Sequence, residues 1–265
     1  MKAKYIFIIA FSFFSSLLFA NNAEKKLEIG IDEKLGNQIP LETEFYDEQG
    51  YLVSLKDVIT KPTIVAFVYF DCPGICTPIL NEITTIVNHL DLEIGRDYQI
   101  VTVSFDETEK PELAASKKKS YFGLLKKDIP QNSWKFLTGD SVSIRKFTNA
   151  AGFMFKRDKG EFLHVGAITI LSPEGKVARY LYGTQYLPFD VKMAITEASE
   201  GKTGPTIAKL LKLCYAYDPA GQTYTLNVTR ISGGVILLLV TIFVIFFIVK
   251  PKKVNQNTEV EKSKK

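Results

Sequence analysis

Cys72 and Cys76 stand four positions apart in Tyr69-Phe-Asp-Cys-Pro-Gly-Ile-Cys-Thr-Pro78, between the apolar run Thr63 to Tyr69 and the amphipathic run Pro78 to Leu90. If a buried strand turns into a helix here, both sulfurs lie at a helix N-terminus, which favours thiolate over thiol. Thiolates bind metal ions or exchange disulfides. Disulfide-exchange pairs commonly use Cys-x-x-Cys, whereas three residues intervene here. On a helical turn, residues i and i+4 share a face, so both sulfurs can point to one spot and grip one soft cation. Thiolate donors select Cu(I), with Zn(II) also possible. A Cα separation of about 6 Å still permits an S–S bond, so exchange remains open. A purely stabilising bridge explains less, because so small a loop removes little unfolded-state entropy, worth about 2 kcal/mol or less.

Two thiolates rarely complete a metal site, and the chain has two histidines. His89 lies thirteen residues beyond Cys76 on the same expected helix, about 20 Å along its axis, and reads as a surface or packing residue. His164, in Glu161-Phe-Leu-His164-Val-Gly-Ala, precedes a strand and is the candidate third ligand, with a structural imidazole as the alternative. Asp71 and Asp106 fall at the ends of neighbouring expected strands, where either could orient a ligand or cap a helix. Cys214, in Leu211-Lys-Leu-Cys214-Tyr-Ala-Tyr, reads as a small buried hydrophobe rather than a ligand.

The elements that must position these groups follow from the apolar pattern. Strands are expected at Thr63–Phe70, Tyr98–Phe105, Trp134–Thr138 and Gly166–Leu171, with Val177–Leu181 following across the turn Ser172-Pro-Glu-Gly175. Helices are expected at Ile79–Leu90, Pro111–Leu125 and Ser141–Ala151. Alternating strands and helices followed by a hairpin predict an α/β sheet with a parallel part and an antiparallel edge, the order of a thioredoxin-like fold. From Val191 to Tyr217 the pattern is again helical, interrupted at Gly201–Pro205, and Asp218-Pro-Ala-Gly221 then breaks the chain.

The ends of the chain speak to location. Lys2 and Lys4 precede the apolar stretch Tyr5–Ala20, which reads as a signal peptide over residues 1–20; Leu18 fits the cleavage pattern poorly, so an uncleaved anchor is the alternative. Residues 231–249 carry no charge, and fifteen of them are Val, Ile, Leu or Phe. At about 0.4 kcal/mol each, insertion of this segment is favoured by roughly 6 kcal/mol, and it is expected to form a transmembrane helix. Lys250, Lys252 and Lys253 follow, which places the tail 250–265 in the cytoplasm and residues 21–226, the folded domain, on the outer or periplasmic side of the cytoplasmic membrane. Of the net charge of +4, the signal carries +2 and the tail +4, leaving −2 for residues 21–249. No basic face for nucleic acid is implied.

At Phe70-Asp-Cys-Pro-Gly-Ile-Cys76, Val103-Ser-Phe-Asp106, Lys110-Pro-Glu-Leu-Ala114, Trp134-Lys-Phe-Leu-Thr-Gly-Asp140, His164 and Ile168-Thr-Ile-Leu-Ser-Pro-Glu-Gly-Lys176, the chain resembles the Sco/SenC family of membrane-anchored copper proteins. The motifs cover about residues 40–190 in the family's order. The resemblance implies a thioredoxin-like fold, a Cu(I) or Cu(II) site on Cys72, Cys76 and His164, and a role in assembling the copper centre of cytochrome c oxidase subunit II. Thr77 stands where many members have proline, and the C-terminal anchor replaces a common N-terminal one; a branch of the family with a different client is consistent with both.

The residues support two functions: a metallochaperone that hands copper to a partner, or a thiol–disulfide oxidoreductase cycling Cys72 and Cys76. A peroxiredoxin is disfavoured, because that family carries Thr or Ser and, four residues earlier, proline, whereas Tyr69 and Val65 hold these places before Cys72 and Pro73 and Tyr69 hold them before Cys76.

Overall fold

The computed structural model describes residues 28–203, 215–218, 223–226, 232–233, 236 and 238–243. In chain order its elements are β1 (Gly30–Ile31), β2 (Glu44–Tyr46), β3 (Leu52–Ser54), α1 (Leu55–Val58), β4 (Thr63–Val68), α2 (Cys76–His89), β5 (Gln99–Ser104), α3 (Pro111–Phe122), β6 (Trp134–Leu137), α4 (Ser141–Ala150), β7 (Phe153–Met154), β8 (Lys156–Asp158), β9 (Glu161–Leu163), β10 (Ala167–Leu171), β11 (Val177–Tyr182), α5 (Pro188–Ser199), β12 (Tyr215–Asp218) and β13 (Thr223–Leu226).

A five-stranded sheet of order β11-β10-β4-β5-β6 forms the centre. Strands β4, β5 and β6 are parallel, with Ile64 beside Ile100 and Ile100 beside Trp134. β10 runs antiparallel to β4, setting Ile168 against Ala66, and β11 returns antiparallel to β10. All six residues of β4 and all six of β5 are buried, as expected of strands covered on both faces. The β10–β11 turn uses Gly175 at φ +77°, whose N–H donates to the Ser172 carbonyl.

Helix α2 buries Ile79, Leu80, Ile83, Ile86 and Val87, the i, i+3, i+4 stripe that pins it to the sheet. Phe147 of α4 packs edge-on to Phe67 of β4 at 5.0 Å, and Phe153 of β7 lies at the same centroid distance from Phe67. The β2–β3 hairpin extends the β6 edge through reciprocal hydrogen bonds between Tyr46 and Thr138. A buried ionic group reinforces this join: Lys118 Nζ lies 2.6 Å from Glu48 Oε1, and Lys135 Nζ lies 3.0 Å from Asp47 Oδ2.

The five central strands and three helices predicted from the sequence all form, each within a few residues of its expected ends. Helix α2 starts at Cys76, three residues before the expected Ile79, so Cys72 precedes the helix rather than lying on a helical turn with Cys76. The expected helical stretch from Val191 to Tyr217 is corrected: α5 spans Pro188–Ser199, and Tyr215–Asp218 is a strand paired antiparallel with Thr223–Leu226. The alternating Tyr-Ala-Tyr pattern fits the period of a strand.

The chain divides into two compact units, Met1–Pro205 and Thr206–Lys265. The β12–β13 hairpin belongs to the second. The expected signal peptide lies outside the described residues, as does Cys214. Of the expected transmembrane helix, residues 232–233, 236 and 238–243 are helical, and the rest lie outside the described residues. Among the described residues, no helix is long and apolar enough to cross a membrane.

Candidate metal centre

The parallel strands β4 and β5 end side by side, and the chain leaving β4 turns through Tyr69–Ile75 into α2. In that turn the Cys72 N–H donates to the Tyr69 carbonyl at 3.3 Å. No side-chain oxygen caps α2. The Cys72 sulfur lies close to that end of the helix and accepts the Gly74 N–H at 3.3 Å. Cys76, the first residue of the helix, is buried, while Cys72 is half-buried at the rim.

His164 comes from the other side of the sheet order, in the link between β9 and β10. It is 4 % exposed. Its ring packs among Phe105 (5.0 Å between centroids), Phe153 (6.0 Å) and Tyr69 (6.2 Å). Gly166 lets the chain after His164 pass close to the end of β11, since a Cβ there would lie 3.0 Å from the Gly183 carbonyl oxygen. Nδ1 of His164 sits 3.1 Å from the Val165 carbonyl, and Nε2 sits 3.4 Å from Cys76 Sγ. A carbonyl only accepts, so Nδ1 carries the proton in that bond and the Nε2 lone pair faces the sulfurs. That is the tautomer of a metal-ligating imidazole, with the second nitrogen held by a backbone oxygen.

The donor atoms of Cys72, Cys76 and His164 all lie within 4.8 Å of one another. Three donors around a shared ion at bonds of about 2.0–2.3 Å would sit roughly 3.5–4 Å apart. Small side-chain movements close the difference, and two sulfurs with one imidazole nitrogen suit a soft or borderline cation. The structure thus brings together all three ligands predicted from the sequence. His89 is exposed at the C-terminus of α2, with Nδ1 2.8 Å from the Thr85 carbonyl, as its spacing from Cys76 required.

The two thiols differ in protonation. The Cys76 thiol, donating to Cys72, is the main reason the Cys72 thiol is pulled down to about 3, with burial opposing and the His164 side chain and then the Cys76 and Gly74 N–H groups assisting. Burial, followed by the neighbouring Cys72 thiolate, pushes Cys76 well above the ordinary thiol range. The expectation that a helix N-terminus would favour thiolate at both positions therefore holds at Cys72 alone. The fully desolvated sulfur keeps its proton.

Asp106 serves as a turn cap, its Oδ1 accepting the Thr108 N–H at 2.9 Å and meeting Arg157 Nη2 at 3.1 Å. The residue that orients the cysteine loop is Glu109, which sequence reasoning passed over. Its Oε2 accepts the Phe70 N–H at 2.8 Å and the Ser104 hydroxyl at 2.5 Å, and its Oε1 accepts the Asp71 N–H at 2.9 Å. Burial raises its pKa against these bonds. Nothing in Asp106-Glu-Thr-Glu-Lys110 marks one acid as buried; only the tertiary fold puts it under the loop. Glu109→Gln turns one of the two accepting oxygens into a donor facing an N–H or hydroxyl. The expected cost is about 1–3 kcal/mol in chemical denaturation, together with faster thiol labelling of Cys76.

A five-stranded α/β sheet with two cysteines at the start of its first long helix and a histidine before its fourth central strand defines a thioredoxin-like domain with a Cys2His metal-binding group. The SCO1/SenC family profile matches residues 32–198, and the chain belongs to that family. It is 27% identical over 151 residues to the SCO1 protein homolog of Bacillus subtilis (strain 168), covering 55% of this chain and 75% of that protein. A solved protein of Aquifex aeolicus VF5, described as a candidate electron transfer protein, is 26% identical, with a TM-score of 0.58 over 64% of this chain and 96% of that one. The solved BsSco, described as having a disulfide switch and as a member of the Sco family of cytochrome c oxidase assembly proteins, shares the fold at 21% identity, with a TM-score of 0.50 over 64% of this chain and 98% of that one. Sco proteins of Arabidopsis thaliana, Bradyrhizobium japonicum and yeast have been solved with copper bound.

Proposed function

We propose that this chain is a copper-binding metallochaperone, tethered to the cytoplasmic membrane by residues 231–249 with its folded domain on the outer side, that delivers copper to a copper-accepting membrane protein such as cytochrome c oxidase subunit II. The observation that carries this reading is the convergence of Cys72 Sγ, Cys76 Sγ and His164 Nε2 on one point at the rim of the sheet. Two sulfur donors favour Cu(I), and the imidazole keeps Cu(II) accessible. A half-exposed Cys72 gives an incoming partner one donor to displace first, while the buried pair retains the ion. Family membership supports the assignment, and the basic residues after position 249 support the orientation.

The test is an anaerobic copper titration of the reduced protein in detergent or lipid. One tightly held copper per chain is expected, with loss of binding in the Cys72→Ser, Cys76→Ser double variant. Stoichiometric copper retention by that variant would refute the reading.

A second reading, thiol–disulfide exchange with a partner, is favoured by the accessible Cys72 thiolate beside a protonated Cys76. Here Cys72 attacks a partner disulfide, and Cys76 then resolves the mixed disulfide, leaving the partner reduced and Cys72–Cys76 oxidised. If a His164→Ala strain assembles its copper oxidase normally while cysteine variants fail, exchange rather than metal delivery is the function.

A further inference from the structure

Beside the metal group, but separate from it, lies a pocket of about 410 Å³ between the start of α4, the loop after β5 and the β7–β8 segment. Its floor is aromatic. Phe105 and Phe155 stack at 4.6 Å, and Phe155 meets Phe162 edge-on at 5.8 Å. Phe105 also packs on a metal ligand, 5.0 Å from the His164 ring, and Phe162 lies 5.2 Å from Tyr69, which itself lies 6.2 Å from His164.

The rim carries three cations, Arg145, Lys156 and Arg157, and two acids, Glu28 and Glu107, and the cations are unequal. Lys156 is paired with Glu28 at 2.9 Å. Arg157 lies over Phe162 at 4.3 Å and is paired with Asp106 at 3.1 Å and with Glu107 at 3.4 Å. Arg145, exposed on α4, reaches over the Phe155 ring at 5.8 Å and makes no ion pair among the described residues. An aromatic floor with one uncommitted guanidinium above it matches a ligand that presents a ring and a carboxylate close together. The volume suits one large side chain and a small neighbour, at the low end for ligand pockets.

We propose that this pocket docks a short peptide segment of the metal-exchanging partner in which an aromatic residue adjoins Asp or Glu. The ring would fill the space over Phe155, and the carboxylate would pair with Arg145. A segment seated there shares the Phe105 ring with His164, and so brings the partner's own donors toward the metal group. The pocket and its ligand chemistry stand on the geometry alone; the identity of the partner as a metal exchanger rests on the function proposed above.

Carbon-13 labelling of methionine methyls in the full chain, metal-free and in lipid nanodiscs, provides a local readout, because Met154 lines the pocket and Met193 does not. The probe is acetyl-Gly-Trp-Glu-Gly-amide. A saturable shift of the Met154 signal is expected, with Met193 unmoved. The glutamine analogue and the Arg145→Glu variant should each bind about tenfold more weakly, and Arg145→Lys should recover part of the loss. The free-protein spectrum and copper stoichiometry should be the same in the variants as in the parent. A Met154 signal that does not move, equal binding of the glutamine analogue, or indoleacetate binding as tightly as the peptide would overturn the proposal. Because the assay needs no metal, a failed copper titration would leave its outcome intact, and the two readings fail separately.

Discussion

Replacing Cys76 with alanine is expected to weaken copper binding by more than about 100-fold, beyond the loss that removal of an outer hydrogen-bond partner produces. Cys76 is the most enclosed sulfur donor, at the first residue of α2 and 3.4 Å from His164 Nε2. Without it, one thiolate and one imidazole remain, too few to hold a soft ion against competing thiols. The same change removes the thiol hydrogen that chiefly holds the Cys72 pKa down, so Cys72 should move back up toward the ordinary thiol value of about 8.5. Competition against a chelator of known affinity reads the first effect, and ultraviolet absorbance of the thiolate as a function of pH reads the second. Copper affinity within a few-fold of the parent would contradict the role assigned to Cys76.

The second large effect concerns how the reduced, metal-free protein reacts with iodoacetamide. Alkylation consumes thiolate. For an ordinary thiol with a pKa of about 8.5, the rate falls tenfold per pH unit below that value, a loss of about a thousandfold by pH 5.5. Cys72, held at about 3, stays ionised throughout this window, so its rate should be nearly flat from pH 8 to pH 5. Its absolute rate should be modest, because a low pKa also lowers nucleophilicity. Cys76, pushed above the ordinary range by burial, should stay unlabelled across the same window. Peptide mapping of the alkylated protein separates the two positions. A tenfold fall per unit at Cys72 would show that the Cys76 thiol does not stabilise the thiolate. The unequal pair also implies that copper displaces about one proton from the two cysteines at neutral pH, the one on Cys76.

Much of this architecture was legible in the sequence because the informative residues were pattern-forming. The short, β-branched apolar run Thr63–Val68 has the pattern of a buried strand, and the stripe Ile79, Ile83, Ile86 that of the helix that follows. With those two elements placed, the cysteine turn was placed as well, and the scarcity of histidines left His164 as the partner. Finer features depended on contacts between distant segments. Cys72 falls outside α2 because Pro73 and Gly74 favour a turn over a first helical turn, so the sulfurs converge through loop geometry rather than helix periodicity. The β8–β9 hairpin, which delivers His164, is built from the mostly charged Lys156-Arg-Asp-Lys-Gly-Glu161, with Lys159 at φ +48°, and carries no alternating signal. Glu109 is one acid among several until Phe70 and Asp71 fold over it. In Tyr215–Asp218, two tyrosines and an alanine satisfy helical and strand patterns alike over so short a span, and the pairing with Thr223–Leu226 decides between them.

X-ray absorption at the copper edge of the anaerobically loaded protein tests the central claim most directly. Two sulfur neighbours and one imidazole nitrogen are predicted in the first shell, at bonds of about 2.0–2.3 Å, with the imidazole scattering lost in His164→Ala and one sulfur lost in Cys72→Ser. A first shell of oxygen and nitrogen alone, or an imidazole signal that survives removal of His164, would contradict it.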